Sequence, residues 1–174
     1  MKRQIFVIIL LIYFQPAYSQ GNTFYQFDFL IGNWVGSGVD IDKNKSEISA
    51  SYSYTMGNTY IEVNHHSEIE KKNKKFKNEV HDDWGMISYD KQRGVYIYRQ
   101  FNIEGYYNQF ILIDSLSNEN TIVFESEQTE NFLTEGKFRL IVKKINNFEI
   151  ETFLDLVSTG KEISYGKNKL IKEE

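Results

Sequence analysis

From Asn33 to Ile171 apolar and polar side chains alternate with a period of two, in runs separated by short clusters of Gly, Asn, Asp and Ser. This alternation restricts the fold more than any motif in the chain. Every second side chain of a pleated strand points to the same face, so each run must lay one face on a core and turn the other to solvent. Ser46 to Met56 is the clearest case: Ile48, Ala50, Tyr52, Tyr54 and Met56 share a face, with serines and Thr55 opposite. Gly136 to Ile145 sets Phe138, Leu140 and Val142 against Lys137, Arg139 and Lys143. Phe148 to Leu156 sets Phe148, Ile150, Thr152 and Leu154 against Glu149, Glu151 and Asp155. Gly57-Asn58 and Asn146-Asn147 read as two-residue hairpin turns, and Asp90 to Gly94 as a longer turn ending on a glycine suited to positive φ. The one proline, Pro16, precedes all of these runs, so nothing marks a break between strands or domains.

The runs amount to about ten antiparallel strands in simple succession. Long strands, tight turns and no crossover helices predict an all-β, up-and-down antiparallel barrel of the calycin or lipocalin type. A short N-terminal helix is expected over Thr23 to Ile31, with Phe24, Phe27, Leu30 and Ile31 on one face and Gly32 as its stop. Closure removes exposed strand edges, and a barrel with this many strands has room for one small ligand. The aromatic content of 16% supports strands over a small helical core.

Ahead of the barrel, Lys2 and Arg3 introduce the apolar run Ile5 to Phe14, and Ala17-Tyr18-Ser19 supplies a small-x-small cleavage pattern. This is the pattern of a secretory signal peptide over residues 1–19, leaving one domain over residues 20–174. A bacterial periplasmic or secreted protein is expected, with no membrane anchor in its mature form. The chain has no cysteine, so neither a disulfide framework nor an acyl tether enters. A formal net charge of −4, made more acidic by loss of Lys2 and Arg3, argues against nucleic acid and anionic membranes as partners. The basic stretch Lys71 to Asn78 reads as a solvated hairpin tip.

The segment FLIGNWVGSG, Phe29 to Gly38, carries a Gly-x-Trp at the mouth of the first strand. It resembles the calycin signature and, more closely, the opening of the nitrobindin-like heme-binding barrels and of related uncharacterised bacterial lipocalin-like domains. The segment His81 to Phe110 resembles the middle of that second group. The resemblance implies a barrel with Trp34 plugging one end, and it raises heme as a cofactor. In nitrobindin-like proteins a histidine late in the chain holds the iron. The late strands here contain none, the three histidines being His65, His66 and His81.

Candidate site residues follow from the strand faces. Arg99 stands in the same row as Val95, Ile97, Phe101 and Ile103, which reads as a lumenal row. A guanidinium inside a barrel must be paired. Either it meets Glu62 or Asp83, or it grips the acidic head group of a ligand together with Tyr52 and Tyr54. His65 shares a face with Ile61 and Val63, whereas His66 faces the other way, so the two cannot ligate one metal. His81 and Asp83 share a face and form a candidate acid–base pair. Asn108 and Gln109 point to opposite faces, so one of them is lumenal. Trp34 is expected to fill the barrel end with its indole N–H on a carbonyl, or else to touch ligand. No metal site and no catalytic motif is expected. The reading is a non-catalytic exported barrel holding a small hydrophobic or amphipathic molecule, apolar or acid-headed. One alternative is a heme barrel with a different iron ligand (His65, His81 or a tyrosine), and another is a lumenal isomerase or hydrolase using His81 with Asp83.

Overall fold

The computed structural model describes residues 23–70, 77–132, 136–158 and 161–174. The leader at 1–19 and most of the basic stretch, 71–76, lie outside them. Ten strands follow one another: β1 Gly32–Asp40, β2 Lys45–Thr55, β3 Tyr60–Ile69, β4 Glu79–Asp90, β5 Val95–Asn102, β6 Tyr107–Leu112, β7 Thr121–Glu130, β8 Lys137–Asn146, β9 Glu149–Ser158 and β10 Lys161–Lys172. Each pairs antiparallel with its sequence neighbour, and β1 pairs with β10 to close the barrel. The expected fold class is therefore the observed one. No helix among the described residues is long and apolar enough to cross a membrane.

The N-terminal helix is a 3-10 helix, Tyr25–Leu30. Phe24, Phe27 and Leu30 recur every third residue, and the three-residue turn of a 3-10 helix puts them in line on one face. All three are buried, plugging one end of the barrel. The Phe27 ring stacks on Phe124 at 6.2 Å and meets Tyr96 edge-on at 5.1 Å. Trp34 lies beneath the plug with no exposed surface, and its Nε1 donates to the Leu30 carbonyl at 2.7 Å. The predicted structural role of Trp34 is the one found. Tyr54 closes the same end by donating to Asp28. At the other end, where β3 joins β4, β5 joins β6 and β7 joins β8, no such plug is present among the described residues.

Inward and outward faces match the alternation in β2, β3, β8 and β9, with corrections at the turns. The β2–β3 connection spans four residues, 56–59, so Met56 is exposed in the turn and not on the inner face. The β8–β9 turn falls on Asn147-Phe148, leaving Phe148 in solvent.

The larger correction concerns β5. The Asp90 carboxylate accepts from the Gln92 and Arg93 amides at 3.0 and 3.1 Å, and Gly94, at φ 69°, returns its own amide to the Asp90 carbonyl. This turn sets Asp90 opposite Val95, and so Asp83 opposite Asn102 and Gly85 opposite Gln100. Tyr96, Tyr98, Gln100 and Asn102 therefore face the lumen. The more apolar row of Val95, Ile97, Arg99, Phe101 and Ile103 lies on the outer wall. Arg99 donates from Nη1 to the outer Ser88 hydroxyl at 3.0 Å, not to Glu62 or Asp83. Glu62 is also outside, accepting from Trp84 Nε1 at 2.8 Å. Neither residue lines the lumen.

Candidate functional site: the open half of the lumen

The plugged half of the barrel is a packed core of Trp34, Ile61, Phe110, Phe124, Ile150 and Leu170. Above it, two unlike walls face each other. One is polar and comes from β3 to β6. Register places His65 beside Asp83 and Asp83 beside Asn102, and Gly85 beside Gln100 and Gln100 beside Asn108. Gln100 ties these rows together, donating from Nε2 to Asp83 Oδ2 at 3.1 Å and accepting from Asn108 Nδ2 at 3.4 Å. Gly85 leaves a gap in the wall that the Tyr98 ring fills. A Cβ there would stand 2.7 Å from that ring and 2.4 Å from the Arg99 carbonyl oxygen.

The opposite wall is apolar. Ring contacts run from Tyr106 to Phe132 at 4.6 Å, on to Phe138 at 5.5 Å and to Tyr165 at 5.6 Å. Leu140, Leu154 and Leu156 pack alongside and remain only partly buried. Surface left on inward-pointing side chains means that this half of the lumen is not packed shut. His65 keeps 26% of its side-chain surface and Asp83 13%.

The polar wall is incompletely satisfied. Asp83 Oδ1, Asn108 Oδ1 and His65 Nδ1 are buried without a hydrogen-bond partner. His65 Nδ1 and Asp83 Oδ2 are 3.5 Å apart, close enough for ionic attraction but not aligned for a hydrogen bond. Buried polar atoms are nearly always paired, so three orphans along one connected wall call for a partner. Burial pushes the Tyr52 phenol up to about 12, and its partial exposure is that of a ring facing an enclosed space. Tyr98 is raised well above its ordinary value, first by burial and then by the nearby Tyr52 and Asp83. Both phenols stay neutral, and none of the inward positions of β3 to β6 among the described residues is lysine or arginine.

At the rim, His81 is held between two carboxylates. Nε2 lies 3.1 Å from Glu79 Oε1, and Nδ1 contacts Glu104. His81 and Asp83 do share the inner face, but they are not partners; Asp83 belongs to the His65 and Gln100 set. His66 is on the outer wall, 2.6 Å from Asp82. No group of three or more metal-ligating side chains is found among the described residues.

The structure thus brings His65, Asp83, Asn108 and Tyr52 to one lumen. It puts Tyr54 and Trp34 at the plug, His81 at the rim, and Arg99 and Glu62 outside. Gln100, Tyr98 and the aromatic wall were missed by sequence reasoning. The signal for the first two was present, since the Asp90–Gly94 turn fixes them inward once Asp83 is.

No protein-family model matches the sequence, and no curated protein does. Among solved structures the fold is similar to the crystal structure of Rv2717c from M. tuberculosis, at 13% identity and a TM-score of 0.64, covering 87% of this chain and 97% of that one. Two designed barrels, a fluorescence-activating barrel and the redesigned barrel mFAP0 bound to DFHBI, align at TM-scores of 0.41 with 8% and 9% identity. They cover 84% and 83% of this chain and 95% and 99% of their own. These two alignments are too loose to bear on its ligand.

Proposed function

We propose that this protein is an exported, non-catalytic barrel that takes a small amphipathic molecule into the open half of its lumen, with hydrogen-bond donors on the ligand's polar end. The observation that carries the reading is the row of unpartnered buried atoms on His65, Asp83 and Asn108 facing an aromatic and aliphatic wall. Asp83 and the Asn108 carbonyl are acceptors, so an amine, amide or hydroxyl suits them. An acid head group loses its basis, because the arginine that was to hold it is on the outer wall. Export rests on the leader pattern of residues 1–19.

The nitrobindin-like resemblance does not bring its heme site with it. The described β9 and β10 supply no histidine, and of the three present His81 has both ring nitrogens against carboxylates and His66 is outside. Only His65 presents an imidazole to the lumen, and hemin titration is expected to give no saturable Soret shift. Catalysis by His81 with Asp83 lacks the contact it would need.

The test is mass spectrometry of small molecules retained through native purification. Wild type and Arg99→Ala should carry the same molecule, and Asp83→Ala should lose it. Retention by Asp83→Ala, or an empty wild-type barrel that binds no donor-bearing amphiphile, would overturn the proposal.

A further inference from the structure

The outer wall carries a second, unrelated feature. Register aligns Asn33, Ser51, Asn64, Trp84, Phe101 and Tyr107 in one row across β1 to β6. Half of this row is small and polar, and half is aromatic. Trp84 and Phe101 are 42% and 47% exposed, and their rings stack at 5.8 Å and 30°. Tyr107 extends the platform, 5.1 Å from Phe101. Glu62 holds the Trp84 indole N–H, so the ring cannot swing. Beside the platform the small Ser49 and Ser51 recess the wall, and the result is a trough of about 550 Å³. This is within the usual size of a ligand site, and contiguous exposed aromatic surface marks such sites.

The lining selects the ligand class. Among the described residues no lysine or arginine borders the trough, so phosphates, nucleotides and other anions meet no counter-charge there. Three carboxylates of the described residues border it: Asp82 is engaged with His66, Asp83 turns to the lumen and accepts from Gln100, and Glu173 stands at the β1 edge, while Glu62 holds Trp84 beside the trough. What is left is a rigid aromatic face bordered by hydroxyl and amide groups that both donate and accept, such as Ser51 and Asn64, themselves joined at 3.4 Å. A pyranose ring has the matching surfaces, with C–H faces to lie on the aromatic platform and hydroxyl edges to meet the polar row. The row runs across the strands for about 24 Å, five interstrand spacings of about 4.8 Å each, which suits a short chain of such rings. We infer that the Trp84–Phe101–Tyr107 platform and the trough beside it form a binding site for a neutral oligosaccharide.

The chain has two tryptophans, and Trp34 is sealed under the plug, so a ligand-induced change in emission reports on Trp84. Maltohexaose, cellohexaose and chitohexaose are titrated separately into the full-length protein. At least one is expected to give a saturable change at millimolar concentration or below. Ser51→Arg fills the trough and leaves the rings intact, and should weaken that binding roughly tenfold or more. Trp84→Ala, read by calorimetry, should abolish it. The inference fails if none of the three sugars gives saturation, or if Ser51→Arg, with an unchanged melting temperature, binds as wild type does. Should Trp84→Ala not fold, the Ser51→Arg comparison decides alone.

Discussion

Replacing Asn108 by leucine is expected to make the protein more stable while weakening its hold on a lumenal ligand. The two side chains have the same branching and similar size, so the change removes polarity with little change of shape. Asn108 Oδ1 is buried without a partner, and a buried orphan acceptor costs about 1–3 kcal/mol. The bond that Asn108 Nδ2 donates to Gln100 Oε1 is long at 3.4 Å and stands at the weak end of the roughly 0.5–1.5 kcal/mol range. The difference favours leucine by roughly 0.5–2 kcal/mol. For a domain of this length each kcal/mol moves the melting temperature by about 2–4 °C, so a rise of a few degrees is expected. Urea unfolding followed by circular dichroism gives the same quantity as a shifted midpoint at constant slope. A polar wall kept for a ligand and not for the fold behaves in this way. Destabilisation by about 1 kcal/mol or more would refute the reasoning, because Asn108 would then be a satisfied member of a structural network.

Trp34→Phe leaves the Leu30 carbonyl without its 2.7 Å donor and a void under the plug, and is expected to cost about 2–4 kcal/mol in chemical denaturation. Gly85→Ala drives a methyl group toward the Arg99 carbonyl and the Tyr98 ring, and should cost about 1–3 kcal/mol with a change in near-UV dichroism from the displaced tyrosine. Tyr52 stays protonated in the folded protein to about 12, against about 10 in the unfolded chain, so its contribution is complete below pH 10 and is lost as pH rises from there through 12. Tyr52→Phe should flatten that alkaline fall in the unfolding midpoint, as measured across the same pH range. Glu127 is held below the ordinary carboxylate range by its bonds from Arg93 and Gln109, so NMR titration of its carboxyl carbon should show a lowered midpoint that returns toward normal in Arg93→Ala.

The barrel was legible because nearly every strand carries its own face pattern, and β2, β8 and β9 declare their inner sides without outside help. β5 does not. Its row of Val95, Ile97, Phe101 and Ile103 is greasier than its row of Tyr96, Tyr98, Gln100 and Asn102, and hydropathy alone turns it inside out. The outer row is apolar because Trp84 and Tyr107 flank Phe101 and because Ile97 is buried although it lies on the outer wall. Hairpin register outranks hydropathy here. A turn at Asp90–Gly94 makes Asp83 and Arg99 point to opposite sides, so an interior pair between them was never geometrically available. Parity put His65 with Ile61 and Val63, but left open the side of Asp83 and the choice between Asn108 and Gln109. The unsatisfied atoms on this wall were out of its reach, since parity gives a direction and says nothing of distance. The aromatic wall gathers Tyr106 and Phe132 from two connections and Phe138 and Tyr165 from two strands, far apart in sequence, and only the closed sheet brings them together.

The seam between β1 and β10 has a consequence for how such a chain is made. Val35 finds its partner in Ile171, with eight other strands between them in the chain, so the ring cannot shut until β10 has left the ribosome. Until then the nascent sheet has two raw edges, and the most distant contact is also the last to be rewarded, which slows completion. A chain cut ahead of β10 would be left a curled ribbon ready to add a strand from any neighbour.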